Sequence, residues 1–262
     1  MTLALRLLAT GVRDVGRRRW LLAYGLFYVA LTDALYRFGG TGARTVLSLA
    51  NVVLSLVPLV SLLFGTMYLY HAREFIQMIL AQPVSRRAVF IGLYGGLVIP
   101  LAGSFLIGVG IPLAWHGALS DAPVAVVVTL GTGMALSLVF TGLAFVIALA
   151  FHDRAVGLGA AILAWLTATV LYDGLVLIGV VLLRDYPLER PLIAVMLINP
   201  VDLGRILLLL QFDLGALAGY TGAVFEHFFG AAEGSLWSSV ALLAWIVAPW
   251  RLGLRQFVRK DF

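Results

Sequence analysis

Charged and polar positions cut this chain into apolar blocks that run Trp20 to Tyr36, Val46 to Tyr70, Val89 to Trp115, Val124 to Phe151, Ala155 to Leu183 and Gly234 to Trp250. A helix crosses the hydrocarbon layer in roughly 17 to 25 residues, so the pattern predicts six transmembrane helices in one all-α membrane domain spanning residues 1–262. Between the second and third blocks the segment HAREFIQMILAQPVSRR, His71 to Arg87, breaks the pattern. Its apolar residues Phe75, Ile76, Ile79 and Leu80 share one helical face, with Arg73, Glu74 and Gln77 set away from it. This spacing predicts a short amphipathic helix on the membrane surface. Pro83 stops it, and Ser85, Arg86 and Arg87 lead into the next span. Ahead of the first block, Leu3 to Arg19 alternates Leu5, Leu8 and Val12 with Arg6, Arg13 and Arg17, which suits an interfacial helix or, equally, a positive anchor for the first span.

One stretch competes with the six-span count. Pro191 to Leu210 is long enough to cross, but Asn199, Pro200, Asp202 and Arg205 lie within it. Asn199 reads as an N-cap, Pro200 as a first helical residue that needs no N–H partner, and Asp202 as a carboxylate at the positive end of a helix dipole. Leu192 to Glu233 is therefore expected to form short external helices that dip into the outer leaflet, where broken backbone is tolerated only against protein or water.

Composition agrees with a polytopic membrane protein: 62% of residues are hydrophobic and 12% charged, against about 25% charged in soluble domains. The net charge of +5 does not point to nucleic acid, because the basic residues sit at the ends of apolar blocks. With both termini inside, thirteen arginines and lysines fall on the inner side and five on the outer, namely Arg37, Arg44, Arg184, Arg190 and Arg205, the bias expected of cytoplasmic segments. The chain has no cysteine, which excludes disulfides and thiolate metal sites. No small-residue cleavage pattern follows the first block, so no cleaved signal peptide is expected.

Catalytic motifs are missing. There is no P-loop, and the sole lysine is Lys260, so any nucleotide chemistry must belong to another subunit. His71, His116, His152 and His227 fall in four separate connections and form no metal site. An intramembrane serine protease would need a histidine at membrane depth, and no block contains one. Two carboxylates do lie within blocks. Asp33 precedes Arg37 by one turn and can pair with it, whereas Asp173, beside Tyr172, has no basic residue within a turn and should face a partner or a wet, pathway-lining cavity. Gly92 with Gly96, and Gly157 with Ala161, have the small-xxx-small spacing of close helix contacts, within one subunit or between two.

These features together resemble the type 2 ABC exporter permeases. In that family the surface insert carries an acidic residue, a paired-leucine-like end, then proline and arginine. Glu74, Ile79, Leu80, Gln82, Pro83, Val84 and Arg86 occupy the matching positions, with Ile76 and Gln77 where glycine or threonine is usual. The stretch Ile198 to Gly230, with Asn199, Pro200, Asp202, Arg205 and Gly219-Tyr220-Thr221-Gly222, is similar to the NosY type, the permeases of nitrous oxide reductase maturation.

The resemblance implies a non-catalytic homodimeric permease of the bacterial inner membrane. It would bind two copies of a cytoplasmic ABC ATPase, which holds the ATP and magnesium, and a periplasmic accessory protein. No cofactor or metal would be bound by this chain. Glu74, Phe75, Ile79, Leu80, Pro83, Arg86 and Arg87 would couple to the ATPase. Asp173 and Tyr172 are the pathway candidates, and Asn199, Pro200, Asp202, Arg205, Tyr220 and Phe225 the candidates for docking the external partner. A general exporter of lipid, glycan or drug, and a mechanical transmitter that moves no cargo, share the same expectations. Direct copper passage is disfavoured, because Met67, Met78, Met134 and Met196 lie in separate segments.

Overall fold

The computed structural model describes residues 3–39, 43–182, 195–210 and 219–260, and the side chains of 3–4, 43–44 and 219–233 lie outside that description. The elements, in order, are α1 (Leu3–Gly16), α2 (Arg19–Phe38), α3 (Ala43–His71), α4 (Arg73–Leu80), α5 (Arg86–Trp115), α6 (Ala118–Asp121) and α7 (Pro123–Ala150). Then follow α8 (Arg154–Leu166), a π-helical segment (Thr167–Leu171), α9 (Tyr172–Leu182), α10 (Pro200–Leu209) and α11 (Gly219–Arg259). No strand occurs among the described residues.

Five stretches are helical, long and apolar enough to cross a membrane: Thr45–His71, Arg86–Trp115, Pro123–Ala150, Arg154–Leu182 and Gly234–Arg259. The first expected span is also a helix, the 20-residue α2, but it is not among these five. Its polar positions explain the difference. Tyr24, Tyr28, Thr32 and Tyr36 recur every fourth residue and are buried, while Leu22 and Leu26 are exposed. Its buried face thus carries hydroxyls and its exposed face aliphatic carbon.

The core lies between α3, α5 and α7, with α1 and α2 against α5, and α11 against α7. Phe90, Phe105, Phe140 and Phe145 are sealed at its centre. Both small-residue pairs serve contacts inside the chain. A Cβ on Gly96 would stand 3.0 Å from the Gly11 Cα, so the backbones of α1 and α5 touch there. A Cβ on Gly157 would overlap the Tyr70 ring, and Ala161 is buried below it. The Arg154–Leu182 stretch is otherwise sparsely covered: Gly157 and Ala161 are its only fully buried residues.

Two expectations are modified. The last span does not begin as a separate helix at Gly234. It continues a single 41-residue helix from Gly219, since no proline interrupts the chain until Pro249. The fifth block is not one α-helix, because its backbone widens into the π segment at Thr167–Leu171, a local insertion that hydropathy does not register.

Candidate functional site

The amphipathic insert forms α4, held across the end of the bundle by its own side chains. Ile76 is fully buried, and Ile79, Leu80 and Val84 pack against the core. Glu74, Gln77, Phe75 and Met78 face outward, Phe75 at 42% and Met78 at 61% exposure. The apolar face read from the sequence is therefore split. Ile79 and Leu80 pack against the core, while Phe75 is only partly covered and Met78 is largely free. Pro83 ends the helix, and Ser85 accepts a hydrogen bond from the Ala88 N–H at 3.4 Å to start α5.

Two arginines tie this insert to distant helix ends. Arg73 donates to the backbone oxygens of His152 (2.7 Å), Phe151 (2.8 Å) and Ala148 (3.2 Å), where α7 ends. Tyr70, stacked against that guanidinium at 4.3 Å, donates to Phe151 and Asp153 oxygens. Arg86 donates to the oxygens of Val258 (3.1 Å) and Lys260 (2.5 Å) at the end of α11, and Lys260 Nζ donates to the Leu149 oxygen at 2.5 Å. Each cation meets a C-terminal helix end, whose unpaired carbonyls carry partial negative charge. Arg86 is thus engaged within the chain, whereas Arg87 is exposed. Arg73→Ala should release α4 from α7, and limited trypsinolysis at Arg86 and Arg87 should accelerate severalfold with the bundle otherwise intact. An unchanged cleavage rate would show that the apolar contacts of Ile76, Ile79 and Leu80 hold the insert without Arg73.

At the other end of the bundle a polar cluster forms around α10. Asn199 caps this helix, its side-chain oxygen accepting from the Val201 N–H at 3.0 Å, with Pro200 in the first turn. Its amide also donates to the Ala168 oxygen (2.8 Å), inside the π segment. Asp173 is paired after all, through a residue far away in sequence: Arg205 donates to Asp173 at 2.8 Å and to Asp202 at 3.0 Å. Tyr172 donates to the Val195 oxygen. Burial lifts the Asp202 carboxyl to about 7, opposed by the charge of Arg205 and assisted by that of Asp173. One guanidinium between two carboxylates is a site where a proton can stand in for a second cation.

Asn199 is 3% exposed and Pro200 is buried, so both anchor α10 and offer no surface. Asp202 is likewise mostly covered, whereas Arg205 and Asp173 are more than one-third exposed. Tyr220 and Phe225 fall on α11, but their side chains are outside the described residues. Asp33 pairs with Arg37 at 2.8 Å as its spacing predicts, and also meets His116 at 3.0 Å, a partner that spacing along one helix does not reveal. No group of histidines and carboxylates suited to a metal occurs among the described residues.

No family model matches the chain. Over 260 residues, 93% of this chain and 92% of the relative, it is 28% identical to the probable ABC transporter permease protein NosY of Pseudomonas aeruginosa. It is 26% identical over 268 residues, covering 93% and 94%, to the protein of that description from Stutzerimonas stutzeri. Similarity along nearly the whole of both lengths agrees with the resemblance carried by the surface insert and the Asn199-Pro200 segment.

Proposed function

We propose, from the premise that this chain is the membrane permease subunit of an ABC transporter, that it serves the maturation of the copper-sulfur site of periplasmic nitrous oxide reductase. The name of the two relatives supports this reading. The amphipathic α4 lying across the end of the bundle supports the permease premise. In this reading α2 is the first of six spans, both termini are cytoplasmic, and α10 enters the outer leaflet of the bacterial inner membrane. A cytoplasmic ATPase binds ATP and magnesium and docks on α4, through Glu74, Phe75 and Met78. Two copies of the chain and two of the ATPase form the transporter. The α10–α11 side faces a periplasmic accessory protein.

The single observation that carries the coupling role is α4 itself, which buries Ile76 inward and leaves Phe75 and Met78 outward. Asp173, Tyr172 and Arg205 are the residues proposed to line the path or to sense its state. A strain lacking this chain should produce nitrous oxide reductase in the periplasm without its copper-sulfur site, measured as loss of the site's absorption and of cluster sulfide in the purified enzyme. Normal cluster content would defeat this reading and leave the exporter of another cargo in its place.

A further inference from the structure

A cavity of about 390 Å³ opens between α1, the end of α3 and the start of α4, within the roughly 300–1,000 Å³ typical of sites that enclose small molecules. Leu7, Val15, Phe64 and Leu93 form its apolar wall, while Asp14, on the last turn of α1, and Arg18, in the junction that leads into α2, line it as well. Thr10, Tyr68 and His71 add polar groups to the lining, so the cavity offers an apolar wall to a hydrocarbon and polar side chains to a headgroup.

The opening is beside amphipathic α1, whose Arg13 is exposed, and the α1–α2 junction, where Arg17 and Arg19 are exposed too, as in a segment lying among lipid headgroups. Asp14 and Arg18 are themselves exposed and, among the described residues, make no ion pair. They present one negative and one positive charge beside a single apolar cavity. A phosphate complements the guanidinium, and an ammonium group complements the carboxylate.

We propose that this cavity is a phospholipid site, holding an acyl chain against α3 and α5 and a phosphoethanolamine headgroup across Arg18 and Asp14. Ala72 and Phe75 belong to the same lining, so the bound lipid braces α4 from behind. This bracing rests on the coupling role assigned to α4, whereas the lipid site stands without it.

Native mass spectrometry of the chain purified in mild detergent tests the site directly, after addition of phosphatidylethanolamine or, separately, phosphatidylglycerol. The expected result is retention of phosphatidylethanolamine in preference to phosphatidylglycerol. Asp14→Asn should reduce retention of the zwitterion by about tenfold, the effect of losing one charge-assisted contact, without reducing that of phosphatidylglycerol. Arg18→Glu should weaken both lipids. Thr10→Trp, at an exposed residue lining the cavity, should block the acyl chain. Size-exclusion profiles and melting curves identify any variant that fails to fold, and Asp14→Asn is isosteric enough to remain informative. Equal retention of the two lipids, or retention unmoved by Asp14→Asn and Thr10→Trp, would overturn the proposal. Because the readout needs no ATPase, a failed lipid site is distinguishable from a failed transporter assignment, which is read by ATPase recovery.

Discussion

Phe75→Asp combined with Met78→Asp is expected to leave the protein in the membrane and strip it of its ATPase. Both side chains are exposed apolar groups on α4, and an apolar anchor of this kind contributes about 2 kcal/mol or more to an interface when it fills a partner's pocket. Loss of one such anchor lowers affinity by about thirtyfold, and a carboxylate in its place adds a desolvation cost. Recovery of the ATPase with the affinity-purified permease is the measurement, and membrane abundance is its control. Ile76→Asp should behave differently. That side chain is fully buried, so a charge there should lower the amount of permease itself. An unchanged ATPase yield from the Phe75/Met78 double variant would remove α4 as the docking element.

Arg205→Ala is the second large effect, because it leaves Asp173 and Asp202 facing each other without a cation. Removing one member of a fully buried pair costs about 3–5 kcal/mol. These side chains are 36% and 39% exposed for Arg205 and Asp173, so screening reduces the expected loss to about 1–2 kcal/mol. Asp173→Asn should be milder, since Arg205 keeps Asp202. The pH dependence follows from Asp202. Its carboxyl is raised to about 7 in the folded chain, so the folded state binds more protons than the unfolded one from about pH 4 to 7, and stability falls as pH rises through that window. Without Arg205 the protonated form is favoured further, and the variant's deficit should grow from pH 5 to pH 8. Melting curves in detergent at both pH values check this, and a deficit independent of pH would show that packing, not charge, is what Arg205 supplies.

The parts of this molecule legible in its sequence were those set by local period and by helix-start chemistry. Hydropathy located the long helices, and Asn199 before Pro200 marked the start of α10 because a cap is made within two residues. Asp33 and Arg37 pair because four residues make one turn. Most of the missing pieces involve separation along the chain. Arg205 reaches Asp173 across 32 residues, Arg73 reaches the end of α7 across more than 70, and Arg86 reaches α11 across more than 170. A one-helix rule sees none of these. The face of α4 was misjudged for a related reason. Periodicity groups Phe75 with Ile76, Ile79 and Leu80, but only contact with α3 and the core decides where the boundary falls, and it falls between Phe75 and Ile76. The π segment carries no compositional mark, since its extra residue shows only in how the backbone bonds.

The length of α11 gives the molecule a mechanical ratio. Its 41 residues span about 60 Å at 1.5 Å per residue, about twice the hydrocarbon thickness. Pro249 rests on α7 at Gly142, where an added Cβ would lie 3.1 Å from the proline ring. That contact divides the rod unequally, with about 15 Å toward the end gripped by Arg86 and about 45 Å toward Gly219. Pivoting there, α11 is a lever with a gain of about three: a displacement of 1 Å imposed beside α4 sweeps the far tip through about 3 Å. Were α11 rigid through Pro249, a small displacement at the end held by Arg86 would become a larger one near Gly219.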